Sequence, residues 1–338
     1  MAMARFLALT LGAAGVLRTS ALPTVPRRVA SGDWDEVMLA LRKDGAVIVT
    51  GYVLENSTSS DFRAKAQQLP RDLFDGTAGR PWLFSSDAPV SAVHEELEEA
   101  KKRGKYLPGS GLLPHTDGYV YGDALPDFVA LLCQEASQEG GGNTLIDGRR
   151  FLQSLDPELV RWLEQTSVDL SEGDQGITVG RAALGPVIQY HGERLKWRRQ
   201  INVEKAQRTD NWKPLDHEDR TRGQHDSGAR YLSLWKPLPN ASEQEAQEIQ
   251  QTLELVDLHL QKATGLAERE GLFYLRSGEA LILDNWRLLH SRQPYQGRST
   301  RKMWRIWSWT SEGSGLPADG AQTSQPLNDA VFGGHAEL

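Results

Sequence analysis

The spacing of apolar positions divides the chain into helix-like and strand-like segments. Over 33–43, Val37, Ala40 and Leu41 recur at helical spacing, with Asp33 and Asp35 where a helix N-terminus favours negative charge. The next stretch, 45–51, reads Gly-Ala-Val-Ile-Val-Thr-Gly, a short buried strand bounded by glycines. A helix is expected over 57–69 with Ser60 or Asp61 as cap, and a charged, solvent-facing helix over 93–103. Residues 127–134 (DFVALLCQ) and 144–147 read as strands, the second following a Gly-Gly-Gly-Asn turn. Helices are expected over 148–155 and 158–165, the latter opened by Asp156-Pro157. The clearest helix is 243–264, where Ile249, Leu253, Val256, Leu260 and Ala263 repeat and Gly265 reads as a stop. A strand follows at 272–275. The stretch 278–309 then reads as a hydrophobic strand, a polar turn containing His290, and a second strand. On that second strand Arg301, Met303, Arg305, Trp307 and Trp309 share one face, and Trp304 and Ile306 the other.

Many short strands sharing one core, braced by helices, predict a mainly β fold with a double-stranded β-helix (jelly-roll) core. No Gly-rich loop joins a strand to a helix, which argues against a nucleotide-binding fold. A single domain is expected over 33–310. Its least regular part, about 168–230, reads as a lid insertion over the substrate. The tail, 311–338, is rich in Gly, Ser, Pro and Gln and is expected to be flexible. The segment 1–32 has no acidic residue, carries Arg5, Arg18, Arg27 and Arg28, and contains an apolar run over 6–17. A signal peptide, an organelle-targeting segment, a disordered leader and an over-called start codon all remain open.

Composition narrows the chemistry. The chain has 338 residues and a net charge of −7, with no basic stripe, which argues against a nucleic-acid partner. No segment is long and apolar enough to be read as membrane-spanning. Cys133 is the only cysteine, so an internal disulfide and a cysteine-based zinc site are excluded. Any bound metal must be held by histidine and carboxylate.

His115 and Asp117 are two residues apart. On an extended segment both side chains leave the same face, so an imidazole and a carboxylate converge on one point. By itself HxD also describes a histidine bonded to a nearby aspartate in a turn. His290 follows the apolar run Leu281-Ile-Leu and the polar triplet Asp284-Asn-Trp. It is placed either as a third ligand or as a hydrogen-bonded histidine at a sheet rim. Arg301 and Arg305 share a face with aromatic residues. Buried there, two guanidinium groups need anions, and a carboxylate is a natural bidentate partner; on an edge strand they would face water.

The order of these signals is more specific than any one of them: HxD, then Gly-Gly-Asn-Thr144, then DNWRLLH, then arginines eleven and fifteen residues past His290. This order resembles the TauD/TfdA-like superfamily of Fe(II)- and 2-oxoglutarate-dependent dioxygenases. The wording DNWRLLHSR is similar to the γ-butyrobetaine and trimethyllysine hydroxylase branch and to the clavaminate synthase-type hydroxylases. The resemblance implies that His115, Asp117 and His290 bind iron as a 2-His-1-carboxylate triad. It implies that Arg301 pairs with the distal carboxylate of 2-oxoglutarate, that Thr144 supports that carboxylate through its hydroxyl, and that Arg305 meets an anionic end of the substrate. In halogenating relatives the position of Asp117 is not a carboxylate, so its presence points to hydroxylation or desaturation. The cysteine-bearing zinc module of the carnitine-pathway enzymes has no counterpart here.

The expected activity is therefore dioxygenation of an unactivated C–H bond in a small polar substrate such as an amino acid, betaine or related carboxylate. Fe(II) is the cofactor, and 2-oxoglutarate and O2 are co-substrates that leave as succinate and CO2. Tyr119 and Tyr121 follow the metal triplet and are candidates for the pocket wall, with Tyr190, Trp197 and Trp235 as candidates for an aromatic cage. Ferrous iron and keto acids fit a cytoplasmic location, with the mitochondrion as the alternative from the arginine-bearing N-terminus. A homo-oligomer is compatible with this reading, and no membrane partner is expected. Two rival readings are a non-catalytic relative that senses a ligand and a cupin-like metal enzyme that uses no keto acid.

Overall fold

The computed structural model describes residues 23–73, 82–86, 112–118, 125–137, 140–169, 184–198, 236–293 and 301–310. In chain order the elements are β1 (Arg27–Ala30), α1 (Trp34–Asp44), β2 (Ala46–Thr50), α2 (Ser59–Leu73), β3 (Trp82–Ser86), β4 (Leu112–His115), β5 (Phe128–Glu135) and β6 (Asn143–Asp147). They continue with α3 (Gly148–Ser154), α4 (Pro157–Gln165), β7 (Ser167–Asp169), β8 (Leu184–Pro186), β9 (Ile188–His191), β10 (Arg194–Trp197), α5 (Glu243–Glu270), β11 (Ala280–Asp284), β12 (Leu288–Arg292) and β13 (Lys302–Ser308).

Alternation along the strands sorts the core into layers. Six strands form one sheet in the order β1-β2-β11-β5-β13-β3, antiparallel except for the β1–β2 pair. On its outer face Val47, Val49, Ala130, Leu132, Ala280, Ile282 and Ile306 pack on Val37, Ala40 and Leu41 of α1 and Phe62, Ala66 and Leu69 of α2. On its inner face Ile48, Val129, Leu281, Leu283, Met303 and Trp307 meet Leu145 and Leu288 of a second, three-stranded sheet, β4-β12-β6. The far face of that sheet, through Ile146 and Leu289, packs on α3, α4 and α5. The layers are thus helices, sheet, sheet, helices. Each fully buried Leu, Ile or Val contributes roughly 1.5–3 kcal/mol relative to exposure.

Several boundaries differ from those expected. The fold begins before residue 33, because β1 pairs with β2 and Thr24 N–H donates to Leu145 O. The acid-free segment finds its acids elsewhere: Arg27 pairs with Glu36 and Asp44, and Arg28 with Glu279. Gly265 does not stop α5, which runs to Glu270 and is closed by Gly271 N–H donating to Ala267 O. Leu266 and Ala267 are buried in the helix-facing core, and that packing outweighs the roughly 1 kcal/mol cost of a glycine within a helix. Residues 272–275 form an isolated bridge between Phe273 and Asn143, not a strand. His290 lies inside β12, and the turn before it is 285–287. In the irregular region, β7 pairs with β8 and β9 with β10. Residues 170–183 and 199–235, the charged helix expected at 93–103, and the segments 1–22 and 311–338 lie outside the described residues.

Candidate metal centre

Strand pairing brings the two histidines together. His290 is the register partner of His115 on β4 and of Leu145 on β6. It shares a face with Leu288 and so points between the two sheets. The imidazole rings lie 4.3 Å apart, tilted at 44°. Asp117, two residues past His115, adds a carboxylate: Oδ1 is 3.5 Å from His115 Nε2 and 3.7 Å from His290 Nε2. One ligand-capable atom from each of His115, Asp117 and His290 falls within 4.8 Å of the others, and all three residues are buried. Two ligands about 2.1 Å from one ion at right angles stand about 3 Å apart, so small adjustments would fit the trio to a divalent metal. Two imidazole nitrogens and one carboxylate form the donor set of non-haem ferrous iron.

The electrostatics keep the donors in ligand form. Burial pulls the Asp117 carboxyl upward, but Arg305 beside it and the two imidazoles hold it well below the usual carboxylate range. Arg305 Nη1 donates to both carboxylate oxygens at 3.2 Å, and Trp307 Nε1 donates to Oδ2 at 2.9 Å. Burial, with the neighbouring His115 and Arg305, pushes His290 down to about 3 against the pull of Asp117. The ring is therefore neutral and can donate a lone pair. Its Nδ1 is buried and has no hydrogen-bond partner among the described residues.

The backbone that carries Asp117 is held by the turn after β11. The fully buried Asn285 side chain accepts from Asp117 N–H at 2.8 Å and donates to Asp117 O at 3.1 Å and to Pro126 O at 2.8 Å. Trp286 Nε1 donates to Leu125 O, and Arg287 donates to Asp147 and to Lys43 O. Asp127 accepts from Thr310 and from Arg194, which also reaches Asp284 and stacks on the Trp286 ring. Gly118 turns the chain at φ +87°, and a Cβ there would lie 2.2 Å from Pro126 Cδ. Asn285, Arg194 and Trp307 were not singled out from sequence as site residues. A signal for Asn285 was present: an amide directly after a buried apolar strand must find partners.

The remaining candidates divide. Arg305 is in the cluster. Arg301 directly precedes β13 on the Met303 face, close enough for its charge to act on the Cys133 thiol, which burial pushes up to about 12. Thr144 is not brought to the cluster. Its hydroxyl is hydrogen-bonded to that of Ser291, its register partner, and this pair lies one residue off His290 and Leu145, on the opposite face of the sheet. Tyr190 is exposed, near Glu164. Trp197 is buried against Phe151, and Arg198 donates to Pro186 O. Tyr190 and Trp197 therefore do not form one cage. Tyr119, Tyr121 and Trp235 lie outside the described residues.

The sequence matches the family described as taurine catabolism dioxygenase TauD, TfdA family, over residues 21–307. The chain belongs to that family, and it is an iron- and 2-oxoglutarate-dependent dioxygenase. None of the curated proteins matches it significantly. Among solved structures it is similar to PvcB from Pseudomonas aeruginosa, at 14% identity over 83% of this chain and 81% of that one, with a TM-score of 0.46. It is also similar to the asparagine oxygenase AsnO, at 15% identity over 81% and 77% and a TM-score of 0.49. The third is the non-haem iron oxygenase OrfP in complex with Fe and alpha-ketoglutaric acid, at 14% over 82% and 78% and a TM-score of 0.48. Among the described residues no helix is long and apolar enough to cross a membrane.

Proposed function

We propose that this enzyme hydroxylates, or desaturates, an unactivated C–H bond of a small polar molecule, an amino acid, betaine or related carboxylate. The observation that carries this reading is the inward-facing cluster of His115, Asp117 and His290 with Arg305 at 3.2 Å from the carboxylate. His115, Asp117 and His290 would hold the iron. With 2-oxoglutarate and O2, iron supplies an oxidant able to take hydrogen from such a bond, and the keto acid is consumed to succinate and CO2. Arg301 receives the distal carboxylate of 2-oxoglutarate. Thr144, whose hydroxyl pairs with that of Ser291 on the strand that carries His290, supports that carboxylate. Arg305 reaches an anionic group of the substrate while it holds Asp117 ionised. Met303, Trp307 and Trp309 line the inner core on the side of the sheet that carries Arg305.

In this reading the two sheets are halves of a jelly roll in a single domain, residues 168–230 include the cover over the substrate, and ferrous iron favours a reducing compartment, the cytoplasm before the mitochondrion. The test of substrate class is succinate release with a panel of amino acids, betaines and simple carboxylates. At least one class should stimulate release above the substrate-free rate. Stimulation only by compounds without an anionic group would contradict the role given to Arg305.

A further inference from the structure

The two oxygens of Asp117 are not treated alike. Oδ1 is turned to both histidines, 3.5 Å from one Nε2 and 3.7 Å from the other. Oδ2 receives the indole N–H of Trp307 at 2.9 Å. Arg305 Nη1 is 3.2 Å from each oxygen and so does not distinguish them. Trp307 does, and its ring is held firmly enough to do so. It is 7% exposed, its strand is paired on both sides, to Val129 of β5 and to Trp82 of β3, and its ring meets that of Trp309 edge to face at 6.4 Å.

Denticity matters at such a site. A carboxylate binds a cation through one oxygen or through both. A six-coordinate ion held by two imidazoles and one carboxylate oxygen keeps three positions free, two for a chelating keto acid and one for O2. A second carboxylate oxygen would remove one of them. We propose that Trp307 is a positioning residue that sets this count: its N–H occupies Oδ2 and leaves Oδ1 as the single atom that Asp117 presents to the metal. This deepens the metal-centre reading and rests on it.

The experiment uses Mn(II) as the probe. The relaxation rate of water protons, measured per bound Mn(II), reports the number of open positions. Wild type and Trp307→Phe are loaded with Mn(II) and compared. The variant should still bind the ion, with its relaxation enhancement reduced to about two-thirds of wild type as one of three waters is displaced. Its Mn(II) complex should also bind 2-oxoglutarate more weakly. An unchanged enhancement in a variant that binds Mn(II) overturns the proposal. Loss of Mn(II) binding by a folded variant overturns it as well, since Trp307 would then be needed for ligation itself. Failure of the wild type to bind Mn(II) would instead sink the metal-centre reading, and the proposal with it. A loss of ring packing alone would not change the water count.

Should Trp307→Phe not fold, the wild type answers by itself. In protein with ¹⁵N-labelled tryptophan, the indole signal most broadened by trace Mn(II) is the one nearest the metal. On addition of Zn(II) that signal should keep the low-field position of a hydrogen-bonded N–H. A move to the position of a free indole N–H would overturn the proposal.

Discussion

His115 stands opposite His290 across the β4–β12 ladder, their rings 4.3 Å apart. The pairing places two imidazoles from residues 175 positions apart in sequence on one inward face. A slip of β12 by one residue would turn His290 to the helix-facing side. Five consecutive pairs with β6 hold the register, while the β4 ladder is irregular between His290 and Arg292. The site is thus as precise as the sheet that carries it.

Asn285 is the test of how Asp117 is held. Asn285→Ala strands Asp117 N–H, Asp117 O and Pro126 O in a buried setting. Unfolding free energy should fall by about 3 kcal/mol and Mn(II) affinity by about tenfold or more. Calorimetric titration and urea denaturation measure both. An affinity equal to wild type would show that the turn does not position the ligand.

The two arginines of the last strand should separate by phenotype. Arg301→Gln is expected to raise the half-saturating 2-oxoglutarate concentration at least tenfold while Fe(II) binding is kept. Arg305→Gln should chiefly weaken the substrate that stimulates turnover. Titration of each co-substrate in turn distinguishes them. The same change in both variants would show that their roles are not divided in this way.

Arg287 tests the support beneath the turn. It donates through Nε to Asp147, which is 1% exposed, and through Nη1 to Lys43 O. Arg287→Met leaves the buried Asp147 carboxylate with only the Arg149 N–H and the half-exposed Arg150 guanidinium at 3.9 Å, so stability should drop by roughly 3 kcal/mol. A loss under 1 kcal/mol in urea denaturation would mean that water replaces the guanidinium.

Cys133 should be chemically silent. Burial pushes its thiol up to about 12 despite the charge of Arg301, so at pH 8 on the order of one in ten thousand molecules carries the reactive thiolate. A thiol reagent should label nothing in the native enzyme over minutes and one equivalent after denaturation. Rapid native labelling would mean that the inner face of β5 opens readily.

What the sequence disclosed follows from what local pattern encodes. The alternation over 301–309 correctly placed Met303, Trp307 and Trp309 on one face and Trp304 and Ile306 on the other, because strand period is a local property. The spacing of His115 and Asp117 also gave two converging donors, although Asp117 lies past the end of β4, in a bend. Thr144 shows the limit. Its distance from His290 in sequence carries no information about its partner across the sheet, and the pairing of its hydroxyl with Ser291 is set by the β6–β12 register. Gly265 was misread because a local stop signal yielded to burial of Leu266 and Ala267. The clamp made by Asn285 was hidden, since its partners lie 168 and 159 residues away and are backbone atoms that any residue offers.

On the proposed assignment, His115, Asp117 and His290 together form the site at which iron and 2-oxoglutarate meet. The most direct measurement is the visible spectrum of the anaerobic protein with Fe(II) and 2-oxoglutarate. Wild type should develop the weak charge-transfer band of a keto acid chelated to ferrous iron, and His290→Ala and Asp117→Ala should not. A band of equal strength in either variant, or no band in wild type, would contradict the account.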